Sequence, residues 1–117
     1  MEYKFYKQTI SKTTFTEVDS DINVLNRFGD SEWTSDKVQE IIEGVKSTDN
    51  TEKEYRWANE DVMFVSHPTE GVIFWDLLSM RGQGSGKTQS ESLVLSHSNF
   101  IKFLEDFKEF IEKESGK

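Results

Sequence analysis

One stretch could cradle a phosphate. Gly82-Gln83-Gly84-Ser85-Gly86-Lys87-Thr88 follows an apolar run and carries the Gly-Lys-Thr of a nucleotide-binding loop. That device needs Gly-x-x-x-x-Gly-Lys-Ser/Thr closing onto a helix N-terminus, where backbone N–H groups and the helix dipole meet the anion. Here the position five before Gly86 is Arg81, and counting from Gly82 the spacing is one residue short. The residues that follow, Gln89 to Leu95, read as loop and then strand, so no helix dipole would face the phosphates. Ile73-Phe74-Trp75-Asp76 imitates a metal-holding strand end but lies too close before the loop to be a separate strand of a nucleotide fold. Residues 81–90 are therefore expected to be a flexible Gly/Ser loop. His67 and His97 are the only histidines, and there is no cysteine. No His-x-x-x-His and no Asp-x-Asp loop is present, so neither a metal nor another cofactor is expected. His67 precedes Pro68 in a turn and His97 sits at a helix start, which suits surface or capping roles. Gly84-Ser85-Gly86 is only part of a nucleophile elbow, and carboxylates are too abundant to single out an acid–base pair. The expectation is a protein that is not an enzyme, with no catalytic residues.

The carboxylates themselves are the stronger signal. Residues 13–61 hold 13 acids against five bases, so the whole formal net charge of −8 lies in that stretch. A phosphate-backbone binder needs a basic stripe, and an anionic membrane surface attracts basic segments, so both partners are disfavoured. A basic protein is the natural electrostatic complement. General solubility is the plainer reading of the same acidity. The candidate partner-binding residues are Asp19, Asp21, Asp30, Glu32, Trp33, Asp36, Glu40 and Glu43. Asp36, Glu40 and Glu43 fall at i, i+4 and i+7 on one helix face, a like-charge spacing that costs about 0.2–0.5 kcal/mol per pair. Trp33 sits among polar neighbours at the start of that helix. It is read either as a ring covering the helix entrance or as an aromatic anchor inside an acidic interface.

These residues need a scaffold, and 117 residues suit a single domain over 1–117. Leu, Ile, Val and Phe total 30, enough to fold, and nine Phe and three Trp with one Ala predict a core of large rings. No run of 18 apolar residues and no apolar segment after Met1 is present, and the absence of cysteine is compatible with the cytosol, so a cytoplasmic location is expected. Alternating or apolar runs predict strands at Glu2–Lys7, Thr13–Val18, Glu54–Ala58, Val62–Val65, Val72–Leu78 and Ser92–Leu95, with Ile22–Leu25 extending the sheet. Trp57 and Trp75, lying in strands, are expected in the core. Thr34 or Ser35 caps a helix with its apolar stripe at Val38, Ile41, Ile42 and Val45. Ser96 or Ser98 caps a second, with Phe100, Phe103, Leu104, Phe107, Phe110 and Ile111 on one side. The expected class is α+β, a mostly antiparallel sheet of about five to six strands with two helices packed on it.

Tyr3-x-Phe5, Trp57, Asp61-Val62-Met63, Glu91-Ser92-Leu93-x-Leu95, Phe103-Leu104 and Phe110 together resemble the YacL-like family of small bacterial proteins. That resemblance spans most of the chain, though not Phe28 to Val45 or Arg81 to Ser90, and implies fold and length, with a housekeeping protein-binding module as the corresponding function. The overall profile also resembles the immunity proteins of contact-dependent growth inhibition, which are small, cytosolic and often acidic. That resemblance implies an inhibitor that binds a cognate basic toxin domain, a nuclease above all, and plugs it through acidic residues.

Overall fold

The computed structural model describes residues 2–48, 52–77 and 93–114. The candidate phosphate loop at 82–88 and the flexible loop at 81–90 lie outside them. The described elements run in chain order as β1 (Tyr3–Ile10), β2 (Thr13–Ser20), α1 (Asn23–Asn26), α2 (Ser35–Lys46), β3 (Tyr55–Ala58), β4 (Val62–His67), β5 (Gly71–Asp76), β6 (Leu93–Leu95) and α3 (His97–Glu114). The class is α+β, as expected. All the strand pairings are antiparallel, and the strands form a two-stranded ribbon, β1-β2, and a four-stranded meander, β3-β4-β5-β6.

Strand alternation selects which face of the meander is buried. Phe64 pairs with Phe74, and Ser66 with Val72, so these four share one face, and all four are buried. Helix α3 lays Phe100 onto that face, edge-on to Phe64 at 5.0 Å and to Phe74 at 4.9 Å between ring centroids. Its next turns carry Phe103 and Phe107 to Phe5 of the ribbon, at 5.7 and 5.0 Å. Tyr3 anchors the same strand: its hydroxyl donates to Asp106 at 2.5 Å, and Lys102 donates to that carboxylate at 2.7 Å. Six phenylalanines (28, 64, 74, 100, 103 and 107) are fully buried, each contributing about 1.5–3 kcal/mol of transfer free energy. Buried Val38, Ile41, Ile42 and Val45 hold α2 alongside α3, and Thr34 caps α2 as expected. Ser96 caps α3 through the Asn99 N–H at 3.1 Å.

Three placements depart from the sequence reading. Ile22–Leu25 does not extend a sheet but enters the single-turn helix α1. The Asn26 side chain bonds both the N–H and the carbonyl of Ser20, closing the turn, and Val24, Leu25 and Phe28 are buried together. Trp75 lies outside the core. It pairs with Met63 on the opposite face from Phe74, together with Val65, Ile73 and Val94. The predicted single sheet is divided, because among the described residues β1 and β2 pair only with each other and through an isolated bridge, Thr16 to Asp30. Beyond Phe5 the ribbon projects. Residues 6–14 are exposed on both faces, and the Ser11-Lys12 turn holds both residues at positive φ, 51° and 72°.

Candidate functional site

The segment between α1 and α2 sets the site. Phe28 is buried at the centre of the aromatic core, with centroids of Trp57 at 5.4 Å, Phe100 at 6.1 Å and Phe103 at 6.0 Å. At Gly29 a Cβ would meet the movable end of the Glu17 side chain, with the nearest backbone atom at an ordinary 3.7 Å. Asp30 is then pinned to β2 by two backbone bonds with Thr16, at 2.8 and 3.0 Å. Trp33 folds back so that its indole N–H donates to the Phe28 carbonyl, while its ring stacks on Trp57 at 5.7 Å and meets Phe107 edge-on at 5.1 Å. Of the two sequence readings of Trp33, this packing matches the ring that covers the helix entrance. The ring covers the helix entrance, and its open side remains at the surface, half-buried.

That open side borders a groove of about 240 Å³ lined by Asp30, Glu32, Trp33, Lys37, Glu40 and Trp57. Its floor is aromatic, and its rim carries three carboxylates against one ammonium. Lys37 lies 3.7 Å from Glu32, with both side chains more than half exposed, a pair worth about 1 kcal/mol or less. Among the described residues neither Asp30 nor Glu40 is in an ion pair. Burial and then the charge of Glu40 push the neighbouring Tyr55 hydroxyl above its ordinary value, so the negative field reaches under the helix. Asp36 and Glu43 continue the exposed face of α2 beside the groove; Glu43 accepts a bond from Gln39 at 3.0 Å.

The eight candidate residues do not converge on one point. Asp30, Glu32, Trp33 and Glu40 share the groove, and Asp36 and Glu43 flank it. Asp19 and Asp21 line a different, shallow groove with Glu2, Tyr3, Lys4 and Ser20. There Asp19 stands directly across the ribbon from Lys4, and Asp21 accepts from the Glu2 N–H at 3.2 Å. Its charge tally, Glu2, Asp19 and Asp21 against Lys4, equals that of the first groove; what it lacks is the pair of tryptophans. Trp57 and Lys37 are the lining residues that sequence reasoning missed. The alternation Tyr55-Arg56-Trp57 puts Trp57 on the face of β3 turned toward the helices, but only folding brings Trp33 to it.

The two histidines and Asp76 make local contacts. His67 Nδ1 accepts the backbone N–H groups of Thr69 and Glu70, both at 3.2 Å, which turns its Nε2 toward Glu54 at 3.8 Å. His97 Nε2 reaches the His67 carbonyl at 2.8 Å. Asp76 takes both contacts of the Arg27 Nε, at 3.1 and 3.3 Å. Among the described residues no three His, Cys, Asp or Glu side chains gather as a metal site, and no helix is long and apolar enough to cross a membrane. No protein-family description, curated protein or solved structure matches the chain.

Proposed function

We propose that this protein is an immunity protein that neutralises a cognate basic toxin domain, a nuclease by preference, by stoichiometric occlusion. The observation carrying the reading is the adjacency of two features. The exposed carboxylates of Asp36, Glu40 and Glu43 run along α2, and the groove beside them has an indole floor with Asp30 and Glu32 on its rim. A nuclease grips phosphates with Lys and Arg, and carboxylates at a protein surface can take those same partners. Surface charge would chiefly speed encounter and select the partner, while the desolvated aromatic floor would supply lasting affinity. Asp19 and Asp21 stand apart from this surface and contribute by long-range field alone.

Co-expression with the product of the adjacent gene tests the reading, with a one-to-one complex and loss of that product's nuclease activity as the expected result. The variant D36K/E40K/E43K adds two charges at each position, taking the formal net charge from −8 to about −2. Association of the purified pair should slow by about 10- to 1,000-fold at low ionic strength and lose most of its salt dependence. Unchanged association of the folded variant would remove α2 from the interface and end the proposal.

A further inference from the structure

The groove's chemistry goes further than its charge, and the step taken here rests on the functional reading above. We propose that the Trp33–Trp57 groove is a receptor for a single arginine side chain presented by a basic protein partner. The volume of about 240 Å³ falls below the roughly 300–1,000 Å³ of small-molecule sites, so one side chain is the fitting occupant. Trp33 and Trp57 both line it, stacked on each other at 5.7 Å between centroids, so a guanidinium would lie against the ring surface that the pair leaves toward the groove. Asp30, Glu32 and Glu40 supply carboxylates on the rim. A guanidinium can stack on an indole while donating in plane to carboxylates, and it is more weakly hydrated than an ammonium. Lysine offers the charge without the plane. The groove already borders one cation, Lys37, which sits 3.7 Å from Glu32 and leaves Asp30 and Glu40 without an ion-pair partner among the described residues. Lys37 is thus a built-in competitor: it lowers the negative potential that an incoming guanidinium would feel.

Titration of the full chain with two end-blocked tripeptides, Gly-Arg-Gly and Gly-Lys-Gly, tests this while net charge is held constant. The readout is the three indole N–H signals in a proton–nitrogen NMR spectrum. Gly-Arg-Gly should shift the Trp33 and Trp57 signals, leave Trp75 on the opposite sheet face unmoved, and bind at least about threefold more tightly than Gly-Lys-Gly. Lys37→Gln should tighten the arginine peptide about two- to threefold. Glu40→Gln, a change of charge at an exposed side chain, should weaken it about threefold or more. Equal binding of the two peptides, binding that leaves both groove indoles unmoved, or a Lys37→Gln variant that binds no better would each overturn the inference. The two readings fail separately. A toxin complex that survives with salt-dependent association but no arginine preference removes the receptor alone. Arginine binding with no inhibited partner leaves the receptor standing and removes the immunity function.

Discussion

Replacing Trp33 separates what the groove owes to packing from what it owes to recognition. The ring contacts Phe28, Trp57 and Phe107, at 6.4, 5.7 and 5.1 Å, and its N–H holds the Phe28 carbonyl. Trp33→Ala removes all of these. Truncating a core aromatic costs about 3–5 kcal/mol, and the half-exposed edge of this ring sets the expectation near the lower end, about 3 kcal/mol. Trp33→Phe keeps a ring in place but deletes the donor, leaving a carbonyl short of one bond, so about 1–2 kcal/mol is expected. A domain of this size holds about 5–15 kcal/mol, so both variants should remain folded at 25 °C. Urea unfolding followed by far-ultraviolet circular dichroism reads the difference without relying on the altered fluorophore. The order wild type, Trp33→Phe, Trp33→Ala should appear in the midpoints, with the denaturant slope unchanged. A cost below about 1 kcal/mol for Trp33→Ala would refute the reasoning, because it would mean that the ring is not a structural member of the core. Once folding is matched, any partner affinity retained by Trp33→Phe but lost by Trp33→Ala belongs to the ring itself.

Two further outcomes follow from local geometry. Ser11 and Lys12 both occupy left-handed backbone, which costs residues with a Cβ about 1–2 kcal/mol each, so Ser11→Asn with Lys12→Gly should raise the unfolding free energy by about 1 kcal/mol or more and the urea midpoint with it; an unchanged or lower midpoint would contradict the turn. The Tyr3–Asp106–Lys102 cluster makes stability depend on pH at both ends. Burial opposes ionisation of Asp106, but the bonds from Lys102 and Tyr3 prevail and hold its carboxyl below the usual value. Its contribution is therefore present above about pH 4 and lost as pH falls further. Burial first, then the bond to Asp106 and its charge, push the Tyr3 hydroxyl far above its usual value. Its share is therefore present below about pH 10 and lost as pH rises beyond it. Unfolding midpoints across pH should show both losses in the wild type, the acid one diminished in Asp106→Asn and the alkaline one diminished in Tyr3→Phe, where the raised Tyr55 hydroxyl leaves a remainder.

The strongly periodic elements could be read from residues alone, and the reason is visible in them. Phe100, Phe103, Leu104, Phe107, Phe110 and Ile111 repeat at helical spacing, and all are buried except Phe110, which is partly exposed beside Phe5 at 5.6 Å. Val38, Ile41, Ile42 and Val45 do the same for α2. Period-two alternation failed where it was absent. Val72 to Trp75 is apolar at every position, so nothing local says that Phe74 faces in and Trp75 out. The register with Phe64 and Met63 decides it. Ile22 and Val24 are β-branched and favour strand by propensity, yet the Asn26 side chain bonds Ser20 and closes a helical turn instead. The acidic stretch was legible as charge but not as place. Asp19 and Asp21 fall within the same stretch as Asp30 and Glu40, and only the pairing of β2 with β1 sends them to a separate groove.

The groove and the core are one construction, and that bears on how it could bind. Phe28 touches Phe64, Phe74, Phe100 and Phe103 on its inner side and Trp33 and Trp57 toward the groove. The aromatic floor is thus fixed by the same contacts that hold α3 on the sheet, and a partner would not have to order it. Side chains immobilised on association cost about 0.5–1.5 kcal/mol each, a cost that a pre-packed indole pair avoids. The rim is the opposite case. The Glu32 side chain is 78% exposed and Lys37 is 52% exposed, so both can reorient around an incoming cation. On the proposed reading, a rigid apolar floor under adjustable charges would separate affinity from steering. It also predicts the direction of failure, since loosening Phe28 would degrade recognition without altering a single charge at the rim.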